Sequence, residues 1–299
     1  MITRIGTFSH ANALIAASLR TQAKLADQQT QESTGLKSTS FGGLGADAAS
    51  LLRLSSQSTR LAADNAAAQS ASAYVQSAYA AVGDIADLAD TIKSQLAAQI
   101  SGANLDADSL EAYARGWLDD LQTQLNSQVG GVYLFGGEAV DAAPVDFSSA
   151  DYDPATAGNT GYYQGASAPR TFASVDGAKI SLSVTAQAGG FEKLARALSM
   201  VIADPGDGDT LSAAFDLVGE AVSGVGSVQE GLGVQADQLA SLISRNETKI
   251  DTLDDLASQL KGADLAQAAV LVTNYQTQLE ALYSTIGALS SSSLLKYLG

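Results

Sequence analysis

The chain has 299 residues, with 32 acidic side chains against 16 basic, one histidine and no cysteine. A formal charge of −16 and a pI near 4.2 exclude a phosphate-neutralising nucleic-acid binder, which needs clustered Lys and Arg. They also disfavour an anionic membrane surface, and the missing cysteine excludes disulfides and thiolate metal sites.

Hydrophobic residues make up 46% of the chain but aromatics only 6%, which suits slender, Ala-rich helical packing better than one thick core. The length allows two or three small domains, or one long helical body with an insertion. Charge is uneven. Residues 1–40 hold Arg4, Arg20, Lys24 and Lys37 against Asp27 and Glu32, and residues 263–299 hold only Asp264, Glu280 and Lys296. The ends therefore sum to +1 and the middle to −17 of the total of −16. Nearly uncharged ends can pack closely against copies of themselves, whereas an acidic middle keeps copies apart. No apolar run reaches the roughly 18 residues of a membrane span. Residues 1–17 lack the basic start and apolar stretch of a Sec-type signal, so an extracellular destination requires another export route.

In chain order, residues 8–32 are rich in Ala, Gln and Leu and read as a helix. Its stripe of Phe8, Ile15 and Leu25 is interrupted by Ser18 and Gln22. Residues 46–100 carry heptads: Leu54, Leu61, Ala68, Val75, Val82, Ala89 and Leu96, with Ala71, Ala78, Ile85 and Ile92 offset by three. This is an a/d stripe of coiled-coil type, broken at Asp64. A further helix is predicted over 108–128, with Leu110, Leu118, Leu121 and Leu125 on one face. All four prolines (Pro144, Pro154, Pro169, Pro205) lie between 144 and 205, and residues 131–190 change character. There Val132-Tyr133-Leu134-Phe135, Tyr162-Tyr163, Thr171-Phe172 and the alternating Lys179–Val184 run read as strands, with Asp176-Gly177 as a tight turn. Asp209 or Thr210 reads as the cap of a helix through Phe215 to Val222. A separate helix is predicted over 234–260, with Leu239, Leu242, Ile250, Leu253 and Leu260 and a polar a-type Asn246. The last helix is the clearest: Leu265, Ala268, Val272, Tyr275, Leu279, Leu282, Ile286 and Leu289 step by threes and fours. An apolar stripe at each end has no core of its own, so the ends are expected to pack against each other and against other copies.

The expected fold is mainly α with a small β-rich insertion. Residues 1–40 with 263–299 would form a terminal helical part, 41–130 with 191–262 a rod, and 131–190 the insertion.

Catalytic chemistry finds no support. The single His10 has Ser9 beside it in sequence, which gives no triad geometry, and one histidine without cysteine makes a zinc site improbable. Asp204, Asp207 and Asp209 miss the spacing and bidentate Glu of a calcium loop and read as a helix link. Asp119-Asp120 and Asp254-Asp255 diverge by about 100° on a helix and are solvated. Gly224-Val225-Gly226 and Gly35-Leu36-Lys37-Ser38 each lack the remaining residues of a nucleotide-binding loop. No enzyme, cofactor or metal is expected.

Several segments carry a family resemblance. They are Arg4-Ile5-Gly6-Thr7, Gln31-Glu32-Ser33-Thr34-Gly35-Leu36-Lys37, Val132–Gly137, Leu232-Gly233-Val234-Gln235, Asp264–Ala268, Leu279–Tyr283 and the closing Ser293-Leu294-Leu295-Lys296-Tyr297-Leu298. Together with the heptads in both limbs, they resemble the bacterial flagellin family of axial proteins. The closing residues look more like the hook-filament junction type than filament flagellin. The turn after the first helix departs from the family in lacking proline over 38–45, and Glu230-Gly231 stands where basic residues are common. The resemblance implies a ring of a few copies between hook and filament, in the extracellular flagellum, touching a neighbouring hook-associated protein and flagellin. It also implies type III export with a cytosolic chaperone guarding the C-terminal helix. The expected assembly residues are Phe8, Ile15 and Leu25, the stripe from Leu265 to Leu289, and Leu294, Leu295, Tyr297 and Leu298. Filament flagellin is the nearer alternative, and a cytoplasmic coiled-coil signalling module the more distant one.

Overall fold

The computed structural model of the chain describes residues 2–102, 106–139, 141–182 and 184–298, with side chains described between residues 9 and 289 of these. Among the described residues there are six α-helices: α1 (Ile2–Thr34), α2 (Asp47–Ile100), α3 (Ala107–Leu125), α4 (Gly189–Ala203), α5 (Gly208–Lys261) and α6 (Leu265–Leu298). Four short strands, β1 (Gln128–Val129), β2 (Val132–Tyr133), β3 (Thr171–Ala173) and β4 (Lys179–Ser181), form two antiparallel pairs. The fold is mainly α with a small β insertion, as the residue pattern implies. Compactness divides the chain into two units, Met1–Thr59 with Ile250–Gly299, and Arg60–Lys249.

In the second unit the heptads of α2 do what their spacing requires. Ala68, Val75, Val82, Ala89 and Leu96 are buried, as are Ala71, Ala78, Ile85 and Ile92. Opposite them, α5 corrects the expectation of two separate helices, because it is one helix of 54 residues. Leu211, Val218, Val225, Leu232, Leu239 and Asn246 recur every seven residues and are all buried. That continuous seam carries the helix through Gly219, Gly224, Gly226, Gly231 and Gly233, each of which would cost about 1 kcal/mol against Ala in an isolated helix. The cap also shifts: Asp207, not Asp209 or Thr210, accepts from the Thr210 backbone N–H at 2.8 Å. By length and composition α5 could cross a membrane, which corrects the expectation that no stretch qualifies. Its apolar stripe enters the core of the second unit, while Asp216 and Glu220 on the same stretch stay exposed.

Helix α4 is absent from the predicted elements, although Phe191, Leu194, Ala195, Leu198 and Val201 have helical spacing and are all buried. Its start crosses α5 backbone to backbone. A Cβ on Gly190 would sit 2.6 Å from the Val225 nitrogen and 2.7 Å from the Gly224 carbonyl carbon. The Gly224-Val225-Gly226 stretch is therefore a helix-crossing site.

The insertion has less strand and more turn than its alternating runs suggest. Leu134 and Phe135 lie beyond β2, and β4 stops at Ser181. Gly130 and Gly131, at φ 60° and 81°, make the two-residue turn between β1 and β2. The Asp176-Gly177 turn is present, with the Gly177 N–H donating to Ser174 O at 2.9 Å. Packing rather than ladders holds the rest. Phe147, Tyr152 and Tyr162 form an aromatic cluster with ring centroids 4.9–5.7 Å apart, and Phe135 meets Phe191 edge-on at 5.8 Å. Tyr162, fully buried, donates its hydroxyl to Ala186 O at 2.9 Å. Burial pushes its ionisation well above the usual phenol value.

Candidate assembly surfaces

The first unit is organised around α1 and α6, which run antiparallel. Gln22 donates to the Tyr283 hydroxyl, and the Lys24 ammonium lies 5.9 Å from the Tyr275 ring centroid. The turn after α1 fixes this pairing at one end. Gly35, at φ 71°, ends α1, and its N–H donates to Gln31 O at 2.8 Å. Leu36 bridges Gly262, Lys37 N–H donates to Lys261 O at 2.7 Å, and Ala263 N–H donates to Gly35 O at 2.9 Å. The Gln31–Lys37 segment thus clamps the end of α1 to the link between α5 and α6.

Of the expected α6 stripe, Ala268 and Leu279 are buried. Val272, Tyr275, Leu282, Ile286 and Leu289 are half-buried, and Leu265 is exposed. On α1, Leu25 is half-buried, but Ile15 is 46% exposed and does not line the seam. The seam of α1 runs instead through Leu14, Ser18, Thr21, Leu25 and Gln28. The supposed interruption at Ser18 is thus a seam position. Ser18 and Thr21 are buried because their hydroxyls turn back onto the Ile15 and Ala17 carbonyls, at 2.8 and 3.0 Å, which satisfies them without a partner from α6. The side chains of Phe8, Leu294, Leu295, Tyr297 and Leu298 lie outside the described residues.

What this pairing leaves uncovered is apolar. Ile15 and Leu19 sit one turn apart on α1, and Val270 and Tyr283 lie on α6, all between 46% and 60% exposed. The first unit carries seven basic and eight acidic residues, a net −1, and the second nine basic and 24 acidic, a net −15. The near-neutral surface is thus that of the first unit, whereas exposed apolar side chains such as Val175 and Val234 also occur on the acidic second one.

Two polar breaks of the heptads, Asp64 and Asn246, lie in the second unit, and they meet. Asp64 accepts from the Asn246 side-chain amide at 3.0 Å, from the Ser174 hydroxyl at 2.7 Å and from the Val175 N–H at 3.0 Å. Burial works against the Asp64 carboxylate, but these donors and the nearby Lys249 charge outweigh it and hold its pKa below the usual carboxylate value. Lys249 itself pairs with Asp176. The other acids singled out in the sequence have local duties. Asp207 caps α5, and Asp204 ends α4 with its N–H donating to Met200 O at 3.1 Å. An open cleft of about 340 Å³ lined by Gln99, Ile100, Ala107, Pro205, Gly206, Gly208 and Leu211 presents no titratable side chain. Among the described residues no three His, Asp or Glu side chains gather as a metal site.

Residues 215–298 match the family described as the bacterial flagellin C-terminal helical region. The fold is similar to that of a protein from Vibrio parahaemolyticus assigned as flagellar hook-associated, with a TM-score of 0.60 and 14% identity, over 72% of this chain and 97% of that one. FlgL of Bacillus cereus aligns with a TM-score of 0.49 and 14% identity, over 72% of this chain and 98% of its own. No curated protein matches the sequence. The chain therefore carries a C-terminal helical region of the bacterial flagellin type, set in a fold shared with a flagellar hook-associated protein.

Proposed function

We propose that this chain is a structural axial subunit of the bacterial flagellum that joins hook to filament by helix-helix self-assembly, and that it is not an enzyme. The observation that carries the reading is the uncovered apolar surface of the α1/α6 pair within a unit of net charge −1. Burying one Leu is worth roughly 1.5–3 kcal/mol, and several per subunit around a ring offset the entropy of ordering. Residues 1–40 with 263–299 form the inner axial part, 41–130 with 191–262 the rod, and 131–190 the outward insertion. The assembly residues are Phe8, Ile15, Leu25, the α6 stripe from Leu265 to Leu289, and Leu294, Leu295, Tyr297 and Leu298.

The partners in this reading are other copies in a ring, a neighbouring hook-associated protein and flagellin. Export is by the type III route, with a cytosolic chaperone on the C-terminal helix, to the outside of the cell. The flagellin-type region over 215–298 favours filament flagellin as the second reading. Electron microscopy of a deletion strain, with a blot of its medium for flagellin, separates the two. Hooks without filaments and flagellin shed into the medium are expected of a junction subunit. Altered filaments on intact junctions mean a flagellin, and wild-type flagella overturn both in favour of a cytoplasmic signalling module.

A further inference from the structure

Within the second unit, α2 and α5 run antiparallel in one alignment. Asn246 meets Asp64, a Cβ on Gly233 would lie 3.9 Å from the Tyr79 ring, and one on Gly83 would lie 3.3 Å from the Gln229 amide nitrogen. The Lys93 ammonium lies 5.8 Å from the Phe215 ring centroid. This alignment sets Ala71 level with Leu239, Ala78 with Leu232 and Leu96 with Ala214. A slip of one heptad would leave nearly every layer apolar, because both seams repeat every seven residues. It would change the volume of each layer by only a few methyl groups, a change that cores largely tolerate.

The exception is the Asp64 layer. A slip in one direction sets the Asp64 carboxylate against Leu239, where it would lose the Asn246 donor and face an apolar side chain, a costly change for a buried charge. In the native alignment Asp64 gains the Asn246 amide. The β3–β4 turn then supplies two more donors, the Ser174 hydroxyl and the Val175 N–H. Lys249, three residues beyond Asn246, reaches Asp176 on the same turn. The turn's docking contacts thus come from both helices and exist together in one alignment alone.

We propose that Asp64 and Asn246 are a register key for the α2/α5 pair, and that the β3–β4 hairpin is the clasp that closes over it. Single polar seam residues fix register in coiled coils at a cost in stability. Here the polar pair does so and hands the alignment on to a third segment, 110 residues away from Asp64 in sequence.

The cysteine-free chain makes the test direct. In the full-length protein, Gly83→Cys with Gln229→Cys reports the native alignment, and Gly83→Cys with Val222→Cys or Ala236→Cys reports slips of one heptad. With Asp64 and Asn246 intact, only the native pair cross-links on oxidation. With Asp64→Leu and Asn246→Leu together, a slipped pair is expected to form in at least one tenth of the molecules, and amide exchange over residues 171–181 to accelerate at least tenfold. Native cross-links alone with unchanged exchange would overturn the proposal. Asp64→Asn serves if the double variant does not fold. It is expected to keep the native cross-link and still speed exchange over 171–181, and unchanged exchange there would also overturn it.

Discussion

The two units solve the same problem, that of burying a helical stripe, with different materials. In the second unit each helix finds cover inside the chain. Phe135, Phe191, Tyr162, Ile85 and Leu121 are all fully buried, and the surface is left strongly acidic. In the first unit α6 offers an almost continuous apolar stripe, but α1 answers it with Ser18, Thr21 and Gln28. Residues such as Ile15, Leu19 and Val270 remain outside. A stripe better supplied with apolar side chains than its partner in the same chain has more to bury than that chain covers. The contrast teaches that the second unit covers more of its helical stripes from within than the first, which is what the proposed assembly through α1 and α6 requires.

The sharpest way to break this contrast is Leu279→Asp, which places a charge at a buried position of the α6 seam. Filaments are expected to be lost while the protein is still secreted. Normal filaments, seen by negative-stain microscopy, would reject the α1/α6 pair as the assembling surface. Next in size is Phe191→Ala in the second unit. Removing a fully buried Phe is expected to cost about 3–5 kcal/mol, measured as a lower midpoint of urea unfolding at an unchanged slope. Leu25→Ala, half-buried in the first unit, is expected to cost far less. A reversed order would mean that the first unit holds the tighter core.

Gly190→Ala probes the helix crossing. The added Cβ would lie 2.6 Å from the Val225 nitrogen, so α4 must shift from α5. The expected loss is about 1–3 kcal/mol, in the range of overpacked cores, read by the same unfolding curves. A variant as stable as the parent would show that the crossing yields without strain.

How far the sequence discloses this fold depends on where each signal is local. The heptads of α2 and the stripe of α6 are visible because a period of seven needs no knowledge of the partner. Helix α5 reads as two helices in sequence, since local pattern cannot register that Val218, Val225 and Leu232 are all covered by one continuous seam. Helix α4 lies beside a turn-rich stretch that masks the helical spacing of Phe191, Leu194, Leu198 and Val201. The α1/α6 pairing is half visible. The α6 side follows from periodicity, but on α1 Ser18 reads as a break, because a hydroxyl that bonds its own helix resembles a polar exposed residue in sequence. Asp64 and Asn246 were each visible as an interruption. Their pairing across 182 residues depends on the register of two helices, which one sequence does not display.

The smallest expected effect is the dependence of the second unit's stability on pH. The Asp64 pKa is held below its unfolded value of about 4 because its donors outweigh the burial that opposes them. A carboxylate of depressed pKa binds fewer protons folded than unfolded. Its contribution is therefore fully present above the unfolded value, and is lost as pH falls through the folded one. Asp106, Asp146 and Asp207 are held low by their own hydroxyl and backbone donors, and Glu220 by Lys193. These groups lie at the surface and act in the same direction, so an acid-unfolding curve of the parent alone does not isolate Asp64. The difference between the parent and Asp64→Asn does. Urea midpoints taken from pH 7 down to pH 3 are expected to converge as pH falls below 4, because protonation removes from the parent what the substitution has already removed. Parallel curves would mean that Asp64 titrates alike in both states and that its three donors are worth no more than the water they replace.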